Sequence, residues 1–395
     1  LVDNVFRLNG GTISMTASST CQVLKPTEQT TIAANPRDSV RMQQACEYFL
    51  HRFWGFDKFR SRQLDIIRRA LRRQNVLGIL PTGTGKSLCF QLPTFLVPGT
   101  ALVISPLRSL MDDQIDNLKR KGFDHGGYVD AIHGRMTKAE REAVLRRFAA
   151  GKLKILYIAP ERFRMRSFFD TLKQLLEKQA VSYLVIDEAH CISEWGHDFR
   201  ASYLQLRNIC RLIGDPPMIA LTATASRRVR EDICNLLEIP DDADHVVTSE
   251  TLSRPELSTE VIIAPRPADK LHVLESLLGV AEDQHRPIHD VIGYGSRADM
   301  LAHNSGLVFC PYGKSGVRDD GRPTLFAPYS AEYLGRRFAD LHIDPRGVGY
   351  YFAELEDAQQ SAMQRDFKED KFPILVSTKG FGMGIDKPNI DFVVH

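Results

Sequence analysis

Short, nearly unbroken apolar runs recur along this chain, each followed by a longer stretch of helical character. Val76–Leu80, Ala101–Ser105, Lys154–Ala159, Ser182–Ile186 and Met218–Thr222 are rich in leucine and β-branched residues. A strand without polar alternation has both faces covered, as in a parallel sheet packed between helices. Strand–helix alternation of this kind predicts a doubly wound α/β domain. A second such unit begins after Arg254-Pro255, with strands Gly306–Cys310 and Pro373–Ser377 and helices near 331–340 and 356–368. At 395 residues the chain is too long for one ordinary core, which fits two domains.

The domains are read as residues 41–250 and 251–395. Residues 1–40, rich in Ser, Thr, Gln and Asn, read as an extended or partly disordered leader. From Arg41 the pattern is helical, with Cys46, Phe49, Leu50 and Phe53 on one face. Residues 62–73 form a second helix whose Arg62, Arg68, Arg69, Arg72 and Arg73 make a basic face of the kind surface helices commonly show. Residues 278–304 have no clear period and read as a loop, part of an insertion over about 278–330. Their His285, His289, Asp290 and His303 match no metal-ligand spacing.

Lys+Arg numbers 51 against 49 Asp+Glu, so net charge gives no argument for a nucleic-acid partner, and any basic surface is local. The 7 cysteines are scattered with no Cys-x-x-Cys pair, which argues against a zinc site or disulfide framework and for a reduced compartment. No signal peptide or bilayer-length apolar run is found. The expectation is a protein that is not secreted and has no membrane partner: cytoplasmic, at the nucleoid, in a bacterium, or nuclear in a eukaryote. The chain opens on Leu1 and closes on Ile390–His395, which reads as a strand cut at its end, so a fragment of a longer protein is expected.

Pro81-Thr82-Gly83-Thr84-Gly85-Lys86-Ser87 lies between a strand and a helix. Its glycines allow a sharp turn whose N–H groups, with the helix N-terminus, can cradle phosphate oxygens. Lys86 would reach the β- and γ-phosphates and the Ser87 hydroxyl would ligate Mg²⁺. Leu80 replaces the first glycine of the general pattern, while the gripping end is intact. Asp187-Glu188-Ala189-His190 follows the apolar strand Tyr183–Ile186. Asp187 would hold Mg²⁺, and Glu188 would orient the attacking water and help deprotonate it.

Asp-Glu-Ala-His together with this phosphate loop resembles a superfamily-two helicase, and three stretches narrow the resemblance to the RecQ family. Gly55–Gln63 resembles that family's adenine-binding motif, which implies that Gln63 bonds the adenine edge, Phe56 stacks on its face and Arg60 belongs to the same site. His190-Cys191-Ile192-Ser193-Glu194-Trp195-Gly196-His197-Asp198-Phe199-Arg200 resembles the family's aromatic-rich loop, which contacts single-stranded DNA and couples that contact to hydrolysis. Trp195 and Phe199 offer flat faces for bases, and Arg200 can pair with phosphate or stack. Val376–Asn389 resembles the fifth helicase motif, implying a backbone contact near Thr378. Ser105–Leu110 and Ala159–Arg162 resemble first-domain DNA-backbone motifs, which implicates Ser105 and Arg162. Thr222–Ala225 resembles the third motif.

The resemblance implies two RecA-like domains of the P-loop NTPase type, the second incomplete, with ATP held mainly by the first. It also implies 3′-to-5′ movement on single-stranded DNA, opening of duplex junctions, and work in DNA repair or recombination. Pro311-Tyr312-Gly313 stand where the fourth motif usually continues Asn-Ser-Arg, and the sixth motif with its arginine finger is expected beyond His395. The rival readings are an RNA helicase of the same superfamily, a binding module without turnover, and a double-strand translocase. Protein partners are not legible.

Overall fold

The computed structural model describes residues 6–8, 11–13, 36–123, 127–134, 136–176, 180–195, 200–223, 225–249, 257–264, 266–281, 285–314, 327–378, 381, 387 and 389–395. The chain divides into two units, Leu1–Arg254 and Pro255–His395.

The first unit opens with an antiparallel pair, β1 (Phe6–Leu8) and β2 (Gly11–Ile13). Then come α1 (Pro36–Phe49), α2 (Gln63–Leu71), β3 (Val76–Ile79), α3 (Leu88–Leu96), β4 (Thr100–Ile104) and α4 (Arg108–Leu118). They are followed by β5 (Val129–Ile132), α5 (Lys138–Ala149), β6 (Ile155–Ile158), α6 (Arg166–Leu176) and β7 (Val181–Ile186). The unit closes with α7 (Leu206–Leu212), β8 (Met218–Thr222), α8 (Arg227–Leu237) and β9 (Val246–Thr248). Its seven-stranded sheet has the order β5-β6-β4-β7-β8-β3-β9, every pair parallel.

Alternation along these strands is between two cores rather than between core and water. Leu102, Ile104, Leu184 and Ile186 enter one apolar cluster, while Ala101, Val103, Tyr183 and Val185 enter the other. That is why the sequence shows unbroken apolar runs. Cys46 of α1 and Leu50 of the π-helical turn that follows it (Leu50–Trp54) are fully buried, and Phe49 and Phe53 pack beside them, the face the periodicity indicated. Arginines on α2 and just after it are used inside the fold: Arg69 donates to the carbonyls of Ala243 and Asp244, and Arg73, two residues past the helix, to that of Ser182.

Strand register fixes where the site can be. Ile79 pairs with Thr222, Ile104 with both Ile158 and Ile186, and Ile186 with Ala220. The C-terminal ends of five strands therefore share one edge of the sheet, the edge at which open α/β folds bind ligands.

The second unit contains α9 (Pro267–Leu277), α10 (Ile288–Val291), α11 (Arg297–His303), β10 (Ser305–Phe309), α12 (Ala331–Asp340), β11 (Val348–Tyr351), α13 (Asp357–Lys368), β12 (Ile374–Ser377) and β13 (Ile390–Val394). Its parallel sheet has the order β11-β12-β10-β13. Gly306 is demanded by packing, since a Cβ there would lie 1.9 Å from Cζ of Phe392.

Some expectations need correction. Residues 278–304 are not simply a loop, because α10 and α11 lie within them. Helices of 4 and 7 residues are too short to print a period, although Ser296 caps α11 by accepting from the Asp299 N–H. The helical region opens at Pro36 rather than Arg41. The sequence pattern does not show strands β1 and β2, which lie within the expected leader, nor β5, β9 and β11; they have 3, 3, 4, 3 and 4 residues. Among the described residues, no group of three or more His, Cys, Asp or Glu side chains is placed to hold a metal, and no helix is long and apolar enough to cross a membrane.

Candidate functional site

The loop between β3 and α3 turns on Gly83 and Gly85, whose φ angles of 79° and 75° lie in the left-handed region open to glycine. Thr84 Oγ1 donates to the Pro81 carbonyl at 2.7 Å. Ser87 is the N-cap of α3, and its carbonyl accepts from the Gln91 N–H at 3.0 Å, so the helix starts directly from the loop. Thr82, Gly83 and Gly85 are exposed, and Lys86 and Ser87 are half-buried. The geometry offers N–H groups and a helix N-terminus to an anion.

Gln63, the first residue of α2, is buried against this loop. Its Nε2 donates to the carbonyls of Thr84 (2.6 Å) and Gly85 (2.9 Å), and its Oε1 accepts from the Arg60 N–H at 2.8 Å. Phe56 is exposed, with the Arg60 guanidinium carbon 5.4 Å and Lys121 Nζ 5.5 Å from its ring centroid. Of the trio expected to face adenine, Gln63 touches the loop, the Arg60 N–H bonds to Gln63, and Phe56 meets the Arg60 guanidinium. Both amide protons of Gln63 are engaged by loop carbonyls.

At the end of β7, the Asp187 N–H donates to the Ile104 carbonyl at 2.9 Å and extends the ladder by one bond. The carboxylate accepts from Ser105 Oγ at 3.4 Å and from the Glu188 N–H at 3.1 Å, and the Asp187 carbonyl accepts from the Tyr203 hydroxyl at 3.2 Å. Glu188 has φ 49°, a left-handed conformation that costs a non-glycine residue on the order of 1–3 kcal/mol and that its surroundings impose. His190 Nδ1 lies 3.3 Å from Glu188 Oε2 and 3.0 Å from Thr222 Oγ1, bridging the acidic pair to the end of β8.

Burial, and then the adjacent Glu188 charge, push the Asp187 carboxyl above its ordinary range, while the Lys86 charge opposes them. Burial would raise Glu188 as well, but the His190 hydrogen bond and the Lys86 charge outweigh it and hold Glu188 low. Lys86 is therefore a counter-charge to both carboxylates. Two crowded carboxylates beside one ammonium, with hydroxyl oxygens nearby, form a donor set that suits a hard divalent cation. Ser87 and Asp187 would be its protein ligands. So few protein ligands are ordinary for Mg²⁺, which keeps waters and phosphate oxygens.

The next segment carries the aromatic residues. Ser193 is buried; its Oγ donates to Asp232 Oδ2 of α8 at 2.5 Å and accepts from the Trp195 N–H at 3.1 Å. The Trp195 side chain is 60% exposed, and the Arg228 guanidinium carbon sits 3.5 Å from its ring centroid. Phe199 lies outside the described residues. Arg200 returns to the sheet edge, donating to the Pro106 carbonyl at 2.8 Å and to Glu161 Oε1 at 3.4 Å. Arg162 is buried and donates to the His133 carbonyl at 2.6 Å.

The first unit thus brings together Lys86, Ser105, Asp187, Glu188 and Arg200. In the second unit Thr378 follows β12, and its N–H donates to the Tyr351 carbonyl at 3.2 Å. Residues 379–380, 382–386 and 388 of that motif lie outside the described residues. In place of the fourth motif's usual continuation, the carbonyls of Tyr312 and Gly313 accept from the Ala331 and Glu332 N–H groups at the start of α12. Sequence reading assigned no separate role to His190, Tyr203, Lys121 or Arg228. The position of His190 directly after the acidic pair was a usable signal. Arg228 comes from a different element, and no local pattern links it to Trp195.

Two parallel α/β units, a phosphate loop and an acidic pair on the same sheet edge define the class as a superfamily-two helicase core. Residues 60–233 match the DEAD/DEAH box helicase family and residues 302–395 the helicase conserved C-terminal domain. The chain is 32% identical over 346 residues to the probable ATP-dependent DNA helicase RecS of Bacillus subtilis (strain 168), covering 88% of this chain and 60% of that protein. It is 34% identical over 356 residues to the ATP-dependent DNA helicase RecQ of the same organism, covering 90% of this chain and 51% of that protein. The structure of Mycobacterium smegmatis helicase Lhr bound to ssDNA and AMP-PNP shares the fold, with a TM-score of 0.58 at 22% identity, over 86% of this chain and 42% of that one. The chain is thus similar to DNA helicases of the RecQ type, and it spans about half to three-fifths of the length of these two relatives.

Proposed function

We propose that this chain is the motor core of an ATP-driven DNA helicase, coupling ATP hydrolysis to movement along single-stranded DNA and to opening of duplex junctions. The observation that carries the proposal is the continuity of Asp187–Arg200. One short segment presents an acidic pair beside Lys86, an exposed indole, and an arginine bonded back to the Pro106 carbonyl beside Ser105.

In this reading the loop N–H groups of Thr82–Ser87 and the Lys86 ammonium hold the ATP phosphates. Ser87 and Asp187 would hold Mg²⁺, which would supply positive charge beside the transferring phosphoryl group. Glu188, kept ionised by His190 and Lys86, orients the attacking water and accepts its proton. Phe56, Arg60 and Gln63 face the adenine, and pairing of Gln63 with the base edge would trade at least one of its bonds to the loop. Trp195 and Phe199 stack on bases, while Ser105, Arg162, Arg200 and Thr378 meet the backbone. Arg162 would have to turn outward to do so. His190 ties Glu188 to Thr222, so a change at the acidic pair reaches both the aromatic segment and β8. Movement 3′ to 5′ and a place in DNA repair or recombination follow from the family resemblance.

The test is ATP hydrolysis and strand displacement with oligo-dT, RNA of equal length, or forked duplex. Stimulation by DNA alone with displacement supports the proposal. Stimulation without displacement makes the chain a translocase, and equal stimulation by RNA removes the DNA-specific reading.

A further inference from the structure

We propose that Arg228 is a nucleic-acid ligand stored on Trp195 in the free protein, and that it passes to a backbone phosphate when a base takes its place on the indole. The inference rests on the reading of Trp195 as a base platform.

The guanidinium carbon lies 3.5 Å from the indole centroid, a close stack on a residue that is 60% exposed. Arg227, Arg228 and Arg230 crowd the first turn of α8, where the helix dipole is positive and cations are disfavoured. Arg227 is paired with Glu231 at 2.9 Å and Arg230 with Asp241. Among the described residues Arg228 has no carboxylate partner, and the indole face is what meets its charge. Ser193 and Asp232 bond the aromatic segment to α8, which keeps Arg228 beside Trp195 whatever occupies the ring.

The exchange is downhill in kind. A cation over an exposed ring is a weak contact. A stacked base is a stronger partner for the indole, and a phosphate, which guanidinium can grip with two hydrogen bonds, is a stronger partner for the arginine. Each group gives up the weaker partner and gains the stronger one.

The chain has 2 tryptophans, so in Trp54→Phe red-edge excitation, which tyrosine does not absorb, reports on Trp195 alone. Acrylamide quenching in the free chain and titration with oligo-dT over a range of salt then give two readouts. Arg228→Ala is expected to increase quenching of Trp195, weaken oligo-dT binding, and reduce the slope of log K against log salt by about 0.7, the loss of one single-strand phosphate contact. Arg228→Lys should keep that slope. Equal or tighter binding by Arg228→Ala with an unchanged slope would overturn the proposal, leaving Arg228 as a cover on the ring. Wild-type affinity in Trp195→Ala would instead overturn the platform reading. Weakened binding in Trp195→Ala with an unchanged slope in Arg228→Ala defeats only the role given to Arg228.

Discussion

Replacing Trp195 with alanine separates a structural indole from a functional one. Trp195 is 60% exposed and, among the described residues, its ring meets the Arg228 guanidinium, so folding should lose only about 0.5–1 kcal/mol, the worth of an exposed cation–π pair. If a base stacks on it, DNA binding loses about 1–3 kcal/mol. Part of that is offset because Arg228 no longer has to be displaced from the ring. The net is about 1–2 kcal/mol, or roughly 5–30-fold weaker binding. Fluorescence anisotropy of labelled oligo-dT measures the affinity, urea denaturation measures the folding cost, and binding of an ATP analogue serves as the control, which should not change. DNA affinity and DNA-stimulated hydrolysis that both stay at wild-type values would refute the reasoning. So would a folding loss well above 2 kcal/mol, roughly the size expected for a core aromatic.

Lys86→Ala should abolish ATP hydrolysis while oligo-dT binding persists, because Lys86 faces the carboxylates and not the aromatic segment; parallel loss of both activities would contradict this. Ser193→Ala leaves Asp232 and the Trp195 N–H without their buried partner, so stability should fall by about 1–3 kcal/mol and DNA stimulation should drop, read by urea denaturation and by hydrolysis with oligo-dT. Arg207 accepts no proton but holds the Asp215 and Glu238 carboxyls below their ordinary range through hydrogen bonds. Depressed carboxyl pKa values stabilise the fold above the unfolded-state pKa, and that contribution is lost as pH falls through the folded-state values. The gap between wild type and Arg207→Met should therefore be full near neutral pH and close as pH drops below about 4, and a gap that persists in acid would contradict the pairing. Gly306→Ala would press a Cβ into the Phe392 ring, with an expected cost of about 1–3 kcal/mol or more in the second unit, read as a lower unfolding midpoint.

The parts of the fold legible in the sequence were those with a strong local period. Val181–Ile186 and Met218–Thr222 are buried on both faces and show as unbroken apolar runs. Asp130 interrupts β5, which is an edge strand of four residues, and β9 has only three, so neither stands out from loop. The candidate site was legible where its residues are neighbours in the chain, as in the phosphate loop and Asp187-Glu188. It was hidden where tertiary packing joins distant residues: Gln63 with the Thr84 and Gly85 carbonyls, His190 with Thr222, and Arg228 with Trp195. The left-handed backbone at Glu188 could not be read either, because its surroundings and not its residue type impose it.

The central claim is that one segment, Asp187–Arg200, serves both ATP and single-stranded DNA. Its most direct test is steady-state ATP hydrolysis by the chain with no nucleic acid, with oligo-dT, and with RNA of the same length, each in wild type and Trp195→Ala. Stimulation and not absolute rate is the readout. Oligo-dT is expected to raise hydrolysis and RNA is not, and Trp195→Ala is expected to lose the rise while still binding ATP. Hydrolysis indifferent to DNA, or raised equally by RNA, or still raised in Trp195→Ala, would contradict it.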